Sequence, residues 1–168
     1  LFCFFGSTVG NLSATEIEFF MNMLGNEMQQ GDNFLLGIDM IKDVAVLENA
    51  YNDEQQITAQ FNKNILKVVN NLSGTNFNPN EFEHLAFFNA EKNSIEMHLK
   101  ALKNVAIIFD SSTDKVYLKK GETIRTENSH KFNFNKIKTI GLWAGLDIEK
   151  VFADDNRWFN VVHYKKNK

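Results

Sequence analysis

The sequence predicts an α/β fold carrying an inserted antiparallel piece, and three observations predict it. Two apolar runs, LFCFF at the start and NFLLGIDM at 33–40, flank one amphipathic segment, as in a strand–helix–strand unit. From about residue 84 to 131, apolar side chains recur at every second position instead. A helical stretch and two further strands then close the chain.

Residues 1–5 are apolar on both faces, which predicts a buried strand with neighbours on each side. Only one more strand of that kind lies nearby, so the expectation is that the chain begins inside a domain whose earlier strands precede Leu1. Gly6 to Asn11 supplies turn residues, and Ser13-Ala14-Thr15-Glu16 is a capping box. Ile17, Phe20, Met21 and Leu24 then share a helix face, with Gly31 as the expected stop. The run at 33–40 is a second buried strand ending at Asp39, parallel to the first through a right-handed crossover.

Asp43 is the expected cap of a short helix carrying Val44, Leu47 and Tyr51. A second acidic cap at 53–56 precedes one apolar stripe, Ile57, Phe61, Ile65, Val68 and Leu72, which closes near Gly74. Pro79 suits the first turn of a very short helix. Ile95, Met97 and Leu99 alternate with Glu96, His98 and Lys100. Residues 106–109, 116–118 and 122–129 continue an antiparallel meander with turns at 111–114 and 120–121. Residues 136–142 read as a helix, and 147–152 and 158–164 as two strands joined through Asp154-Asp155-Asn156. The plan divides into 1–42, an insertion at 43–131, and a closing part at 132–168. A parallel sheet that finishes in an antiparallel hairpin is how class I methyltransferase sheets end.

Composition excludes several function classes. The 168 residues are 43% hydrophobic and 23% charged, enough apolar material for one core. A net charge of −3 with no basic stripe argues against nucleic acid as partner. Lys165, Lys166 and Lys168 read as a solvated tail. No apolar run approaches the ~18 residues of a membrane span. Cys3 is the only cysteine, so no internal disulfide forms, which favours a reducing, cytoplasmic setting. Within LFCFF it reads as a buried small hydrophobe.

Three constellations are candidates for chemistry. Gly6 to Asn11 follows a strand and precedes a capped helix, where open parallel sheets bind ligands. Gly6 and Gly10 would let backbone approach a ligand and Asn11 offers an amide, but a plain strand-to-helix loop has the same composition. Tyr51, at a break between helices, either donates to a carboxylate or packs on the core with its hydroxyl in water. In IRTENSHKF (124–132) neither side is apolar through the middle. Glu127 and Ser129 point to one side, two residues apart. They either grip a planar ligand with two polar ring atoms or belong to a solvated edge. His84, His98, His130 and His163 lack metal-ligand spacing, and no Ser–His–acid order stands out.

The segments FFGSTVGN, NAYND, FNKNIL, FNAEKNSIEMHL and RTENSHKF, in this order, resemble the histidine-specific methyltransferase family. Its members transfer a methyl from S-adenosylmethionine to the α-amino nitrogen of histidine, making hercynine for ergothioneine synthesis. The resemblance runs from Phe4 to the final hairpin and is to the carboxyl-terminal half or so of a family member. It implies that the first strands, the glycine-rich turn and the acidic ribose contact lie before this chain. It assigns the substrate's α-amino group to Asn11, its carboxylate to Tyr51 and its imidazole to Glu127 and Ser129. Met97 would line the same pocket, and Gly6 would lie near the cofactor's methionine end. The insertion at 43–131 would be the substrate-binding domain. Arg125 and Lys131 flank the ring ligands without an assigned role. The resemblance leaves open a non-catalytic or amino-acid-binding remnant, and another small amine as acceptor. Exposed sheet edges would also favour self-association.

Overall fold

A computed structural model describes residues 1–110 and 115–167, so the expected turn at 111–114 and Lys168 lie outside the described residues. The elements begin with β1 (Phe2–Phe4), α1 (Ala14–Glu27), β2 (Asn33–Asp39), α2 (Val44–Tyr51) and α3 (Ile57–Ser73). Next come β3 (Phe82–Asn89), β4 (Ser94–Ala101), β5 (Val105–Ile108), β6 (Lys115–Leu118) and β7 (Thr123–His130). The chain closes with α4 (Phe134–Trp143), β8 (Asp147–Ala153) and β9 (Phe159–Lys165). Two compact units result. One comprises Leu1–Asp43, Asn89–Ser94 and Asn128–Lys168, and the other Val44–Phe88 and Ile95–Glu127. The boundary between them falls within β7.

The first unit holds a four-stranded sheet of order β1-β2-β9-β8. β1 and β2 are parallel, as the strand–helix–strand pattern requires, and β9 returns antiparallel to both β2 and β8. Phe34, Leu36 and Ile38 of β2 and Val162 and Tyr164 of β9 are buried with Ile17 and Met21 of α1 and Ile137 and Ile140 of α4. α1 starts where the capping box places it. Glu16 N–H donates to Ser13 Oγ and Ser13 N–H to Glu16 Oε2.

Within this chain β1 pairs with β2, and Leu1, Phe2 and Phe5 are exposed. Three expectations for this unit need correction. Cys3 is exposed rather than buried. α1 stops at Glu27, with Met28 extended, and Gly31 instead turns the chain into β2 at φ +91°. Lys165 and Lys166 are not part of a solvated tail: Lys165 lies in β9, and Lys166 Nζ donates to Gly25 O at 2.9 Å, capping the end of α1.

Tyr164 is fully buried, stacked on Phe34, and its hydroxyl donates to Ile137 O at 2.8 Å. Burial holds its pKa above the ordinary tyrosine range. The folded state therefore keeps a proton that the unfolded chain releases near pH ~10, so stability falls as pH rises past about 10. Tyr164→Phe should cost about 1 kcal/mol near neutrality and flatten that alkaline decline. Urea melts of both proteins at pH about 8 and 10.5 measure the difference.

The second unit is built on the sheet β3-β4-β7 and a separate two-stranded sheet, β5-β6. The meander is thus interrupted: β5 and β6 pair with each other (Val105↔Leu118), and β7 returns beside β4. Ile95, Met97 and Leu99 are buried as the alternation requires, but Glu96 is buried too, held by His98 Nε2 at 3.0 Å. α3 begins as expected. Asp53 accepts from the N–H groups of Thr58 and Ile57, which hold its carboxyl below the usual range. Gly74 ends the helix in a left-handed conformation.

The apolar stripe of α3 faces outward, however. Phe61 and Leu72 are 67% and 81% exposed, while Asn62 and Leu66 face the core. Asn62 sets that rotation, because its amide donates to His84 Nδ1 and to His98 O, tying α3 to β3 and β4. Two bonds from a buried amide outweigh the stripe's attraction to the sheet, since leaving that amide unpaired costs about 1–3 kcal/mol.

Candidate functional site

In the first unit, β1 ends in two residues of left-handed conformation, Gly6 at φ +75° and Ser7 at φ +56°. They turn the chain into a short 3-10 helix, Thr8–Asn11. A Cβ at Gly6 would meet only Thr8 Oγ1, at 3.5 Å, so the glycine serves backbone conformation and leaves open space beside it. Gly10 is needed for a reason other than ligand approach. A Cβ there would lie 2.8 Å from His130 O, so the turn packs directly on the end of β7. This contact places the turn carrying exposed Asn11 next to the strand end carrying buried Ser129.

Asp39, the last residue of β2, joins the same place. Its N–H donates to Ser7 Oγ at 2.9 Å, and its carboxylate accepts from Lys131 Nζ at 2.9 Å and from Lys42 Nζ. Lys131 Nζ also donates to Ser129 Oγ at 2.9 Å. Asn11, Ser129, Asp39 and Lys131 therefore gather at the carboxyl ends of the parallel strands β1 and β2, where open α/β sheets bind ligands. Sequence reasoning gave Lys131 no role and read Asp39 only as a strand end. The available signal was a charged residue closing an otherwise apolar run.

In the second unit, Tyr51 is the last residue of α2 and packs half-buried on the cluster Leu47, Ala86, Ile95 and Met97. Tyr51 and Met97 thus meet in one cluster. The end of α2 is pinned on β3 by Asn52 Nδ2 donating to Ala86 O and Phe88 N–H donating to Glu48 Oε1. His84 fixes Tyr51 further. Its Nδ1 accepts from the Asn62 amide, so the neutral ring carries its proton on Nε2, which donates to Tyr51 O at 2.9 Å. Glu127 is half-buried on β7, one residue after Thr126, whose Oγ1 donates to Met97 O at 3.0 Å. A cleft of about 410 Å3, lined by Asn52, Asp53, Lys63, Glu83 and His84 among others, opens next to Tyr51 in sequence.

Known proteins match this sequence. The family described as histidine-specific methyltransferase, SAM-dependent, matches residues 1–166. The chain belongs to this family. Within it, the histidine N-alpha-methyltransferase of Mycobacterium tuberculosis is 39% identical over 155 residues, 92% of this chain and 48% of that protein. The enzyme of the same name from Mycolicibacterium smegmatis is 39% identical over 146 residues, 87% of this chain and 46% of that one. The ergothioneine biosynthesis protein 1 of Schizosaccharomyces pombe is 27% identical over 106 residues. The chain spans about half the length of the first two relatives. Among solved structures, an S-adenosylmethionine-dependent methyltransferase from Clostridium acetobutylicum aligns with 99% of this chain and 57% of its own, at TM-score 0.50 and 8% identity. That likeness is one of fold, and it agrees with the methyltransferase-like α/β class expected for this family. No helix among the described residues is long and apolar enough to cross a membrane.

Proposed function

We propose that this chain supplies the amino-acid-binding part of an S-adenosylmethionine-dependent N-methyltransferase acting on the α-amino group of histidine, the step that makes hercynine for ergothioneine synthesis. The observation that carries the reading is the family match through residues 1–166, which includes every assigned residue. The convergence of Asn11 and Ser129 at the carboxyl ends of β1 and β2 supports it. So does the shared packing of Tyr51 and Met97.

The residue types suit the reaction. Bound S-adenosylmethionine supplies an electrophilic methyl on a sulfonium, so the protein needs no nucleophile of its own. The Asn11 carbonyl accepts from the amine and leaves its lone pair free. Tyr51 donates to the carboxylate. Glu127 accepts from one ring N–H, and Ser129 serves the other ring nitrogen. Positioning of this kind supplies most of what a methyl transfer needs. Open space beside Gly6 fits a cofactor approaching bare backbone at its methionine end, and Gly6 is the one cofactor residue assigned to this chain. Residues 43–131 then form the substrate-binding part. We place the protein in the cytoplasm, with a small amino acid as partner and neither nucleic acid nor membrane.

Coverage of only about half of each relative favours a second reading, in which this piece binds the amino acid without the cofactor. Calorimetric titration with histidine and with S-adenosylmethionine, separately, tests both. Histidine binding is expected, and its absence sinks the reading; cofactor binding alongside it would displace the second. The open edge of β1, with Leu1, Phe2 and Phe5 exposed, supports self-association, which light scattering on the same sample measures.

A further inference from the structure

His84 stands where the second unit's fold asks for an apolar side chain. On the same face of β3, its neighbours two residues away, Phe82 and Ala86, are buried in apolar clusters. His84 instead links two elements through polar bonds that run in one direction. His98 O can only accept, so the buried Asn62 side chain presents its amide nitrogen there, at 3.1 Å. The second proton of that nitrogen goes to His84 Nδ1, at 2.9 Å. The ring proton is then on Nε2 and meets Tyr51 O at 2.9 Å, which again can only accept. A backbone carbonyl closes the chain at each end, and this fixes the direction of every bond between them.

What this chain of bonds holds is the last residue of α2, a helix of 8 residues. The last carbonyls of a helix have no partner within it, and helix ends fray. Asn52 Nδ2 fastens the next residue to Ala86 O, and His84 takes the Tyr51 carbonyl itself. The backbone from which the phenol projects is thereby fixed on β3. A binding group has to be held within about 0.5 Å to meet its ligand well. We propose that His84, with its tautomer set by Asn62, is a positioning residue that holds the Tyr51 phenol in place for the substrate's carboxylate, so that the pair makes the site prefer α-amino acids over amines without a carboxylate. The inference rests on Tyr51 meeting the carboxylate, as proposed above. It adds the residue that places the tyrosine and the class of ligand that the pair selects against.

The test compares histidine with histamine, which keeps the ring and the amine and lacks the carboxylate. Calorimetry is run on the wild-type chain, on His84→Asn, on His84→Gln, on Tyr51→Phe and on the His84→Asn/Tyr51→Phe double variant. Wild type should bind histamine about tenfold or more weakly than histidine, the worth of a hydrogen bond to a charged group. In His84→Asn the new side-chain oxygen still accepts from Asn62 but no donor reaches Tyr51 O, and the ratio should shrink to within about threefold. In His84→Gln the longer amide reaches Tyr51 O while the Asn62 bond is lost, so the ratio should stay near the wild-type value even as the urea midpoint falls. In the Tyr51→Phe background, His84→Asn should change histidine affinity little, since His84 acts through the tyrosine. A residue with a merely structural role would weaken both ligands together and leave their ratio in His84→Asn at the wild-type value. That result overturns the inference, and so does a collapsed ratio in His84→Gln. Should His84→Asn fail to fold by circular dichroism, the wild-type, His84→Gln and Tyr51→Phe ratios still decide. Equal binding of the two ligands by wild type, or an undiminished ratio in Tyr51→Phe, overturns the inference while the histidine-binding reading stands. Failure of histidine to bind wild type overturns both.

Discussion

Glu127→Ala is expected to lower histidine affinity by about ten- to a hundredfold and to relax selectivity toward phenylalanine and tryptophan. The magnitude is that of a hydrogen bond to a charged group, about 1.5–3 kcal/mol. The change in selectivity follows from the carboxylate's two roles. On the proposed reading it accepts a ring N–H from histidine. With a hydrocarbon ring it would be left half-buried without that donor, and sites built to pair a polar group reject ligands lacking it strongly. Alanine removes the attraction and the penalty together, so phenylalanine should gain what histidine loses in relative terms. Calorimetry with the three amino acids measures both. Unchanged histidine affinity would remove Glu127 from the binding site while leaving the family assignment intact.

Gly25→Ala should destabilise the first unit by about 3 kcal/mol, although alanine is the better helix former. The propensity gain in a helix interior is at most about 1 kcal/mol. Against it stands a collision: a Cβ at Gly25 would lie 2.3 Å from Ala144 O and 2.8 Å from Ala144 C and Cα. These are backbone atoms and no side-chain rotation relieves the overlap, so α1 and α4 must separate. Overpacking of this kind costs about 1–3 kcal/mol and sometimes more. Separation also strains the Lys166 cap on Gly25 O and the shared packing of Met21 and Ile140. Gly31→Ala is the control. Nothing lies within 4 Å of its Cβ position, so only its φ of +91° is penalised, by about 1–2 kcal/mol. Urea midpoints for the two variants separate collision from backbone conformation. A Gly25→Ala midpoint equal to wild type would mean that α1 and α4 do not approach as described.

Much of the fold was legible in the sequence because local chemistry dictates it. The Ser13–Glu16 capping box, the Asp53 cap, Gly74 at the end of α3 and the alternation at Ile95, Met97 and Leu99 each act within a few residues. Neighbouring sequence suffices to predict such features. The candidate residues were legible through the order of several short segments that resemble one family. No single segment's periodicity would have chosen Glu127 and Ser129 over a solvated strand.

The sequence by itself determined the capped helices, the strand–helix–strand opening, the closing hairpin and the family to which Asn11, Tyr51, Met97, Glu127 and Ser129 were referred. Tertiary structure decided which face each element turns inward. Asn62 rotates α3 so that Phe61 and Leu72 look outward. It also decided that Gly10 packs on His130, and that Lys131 reaches Asp39 across 92 positions of chain. The physical reason is the same in each case. Burial and hydrogen-bond pairing depend on which distant segment arrives alongside, and periodicity along one segment carries no information about its neighbour.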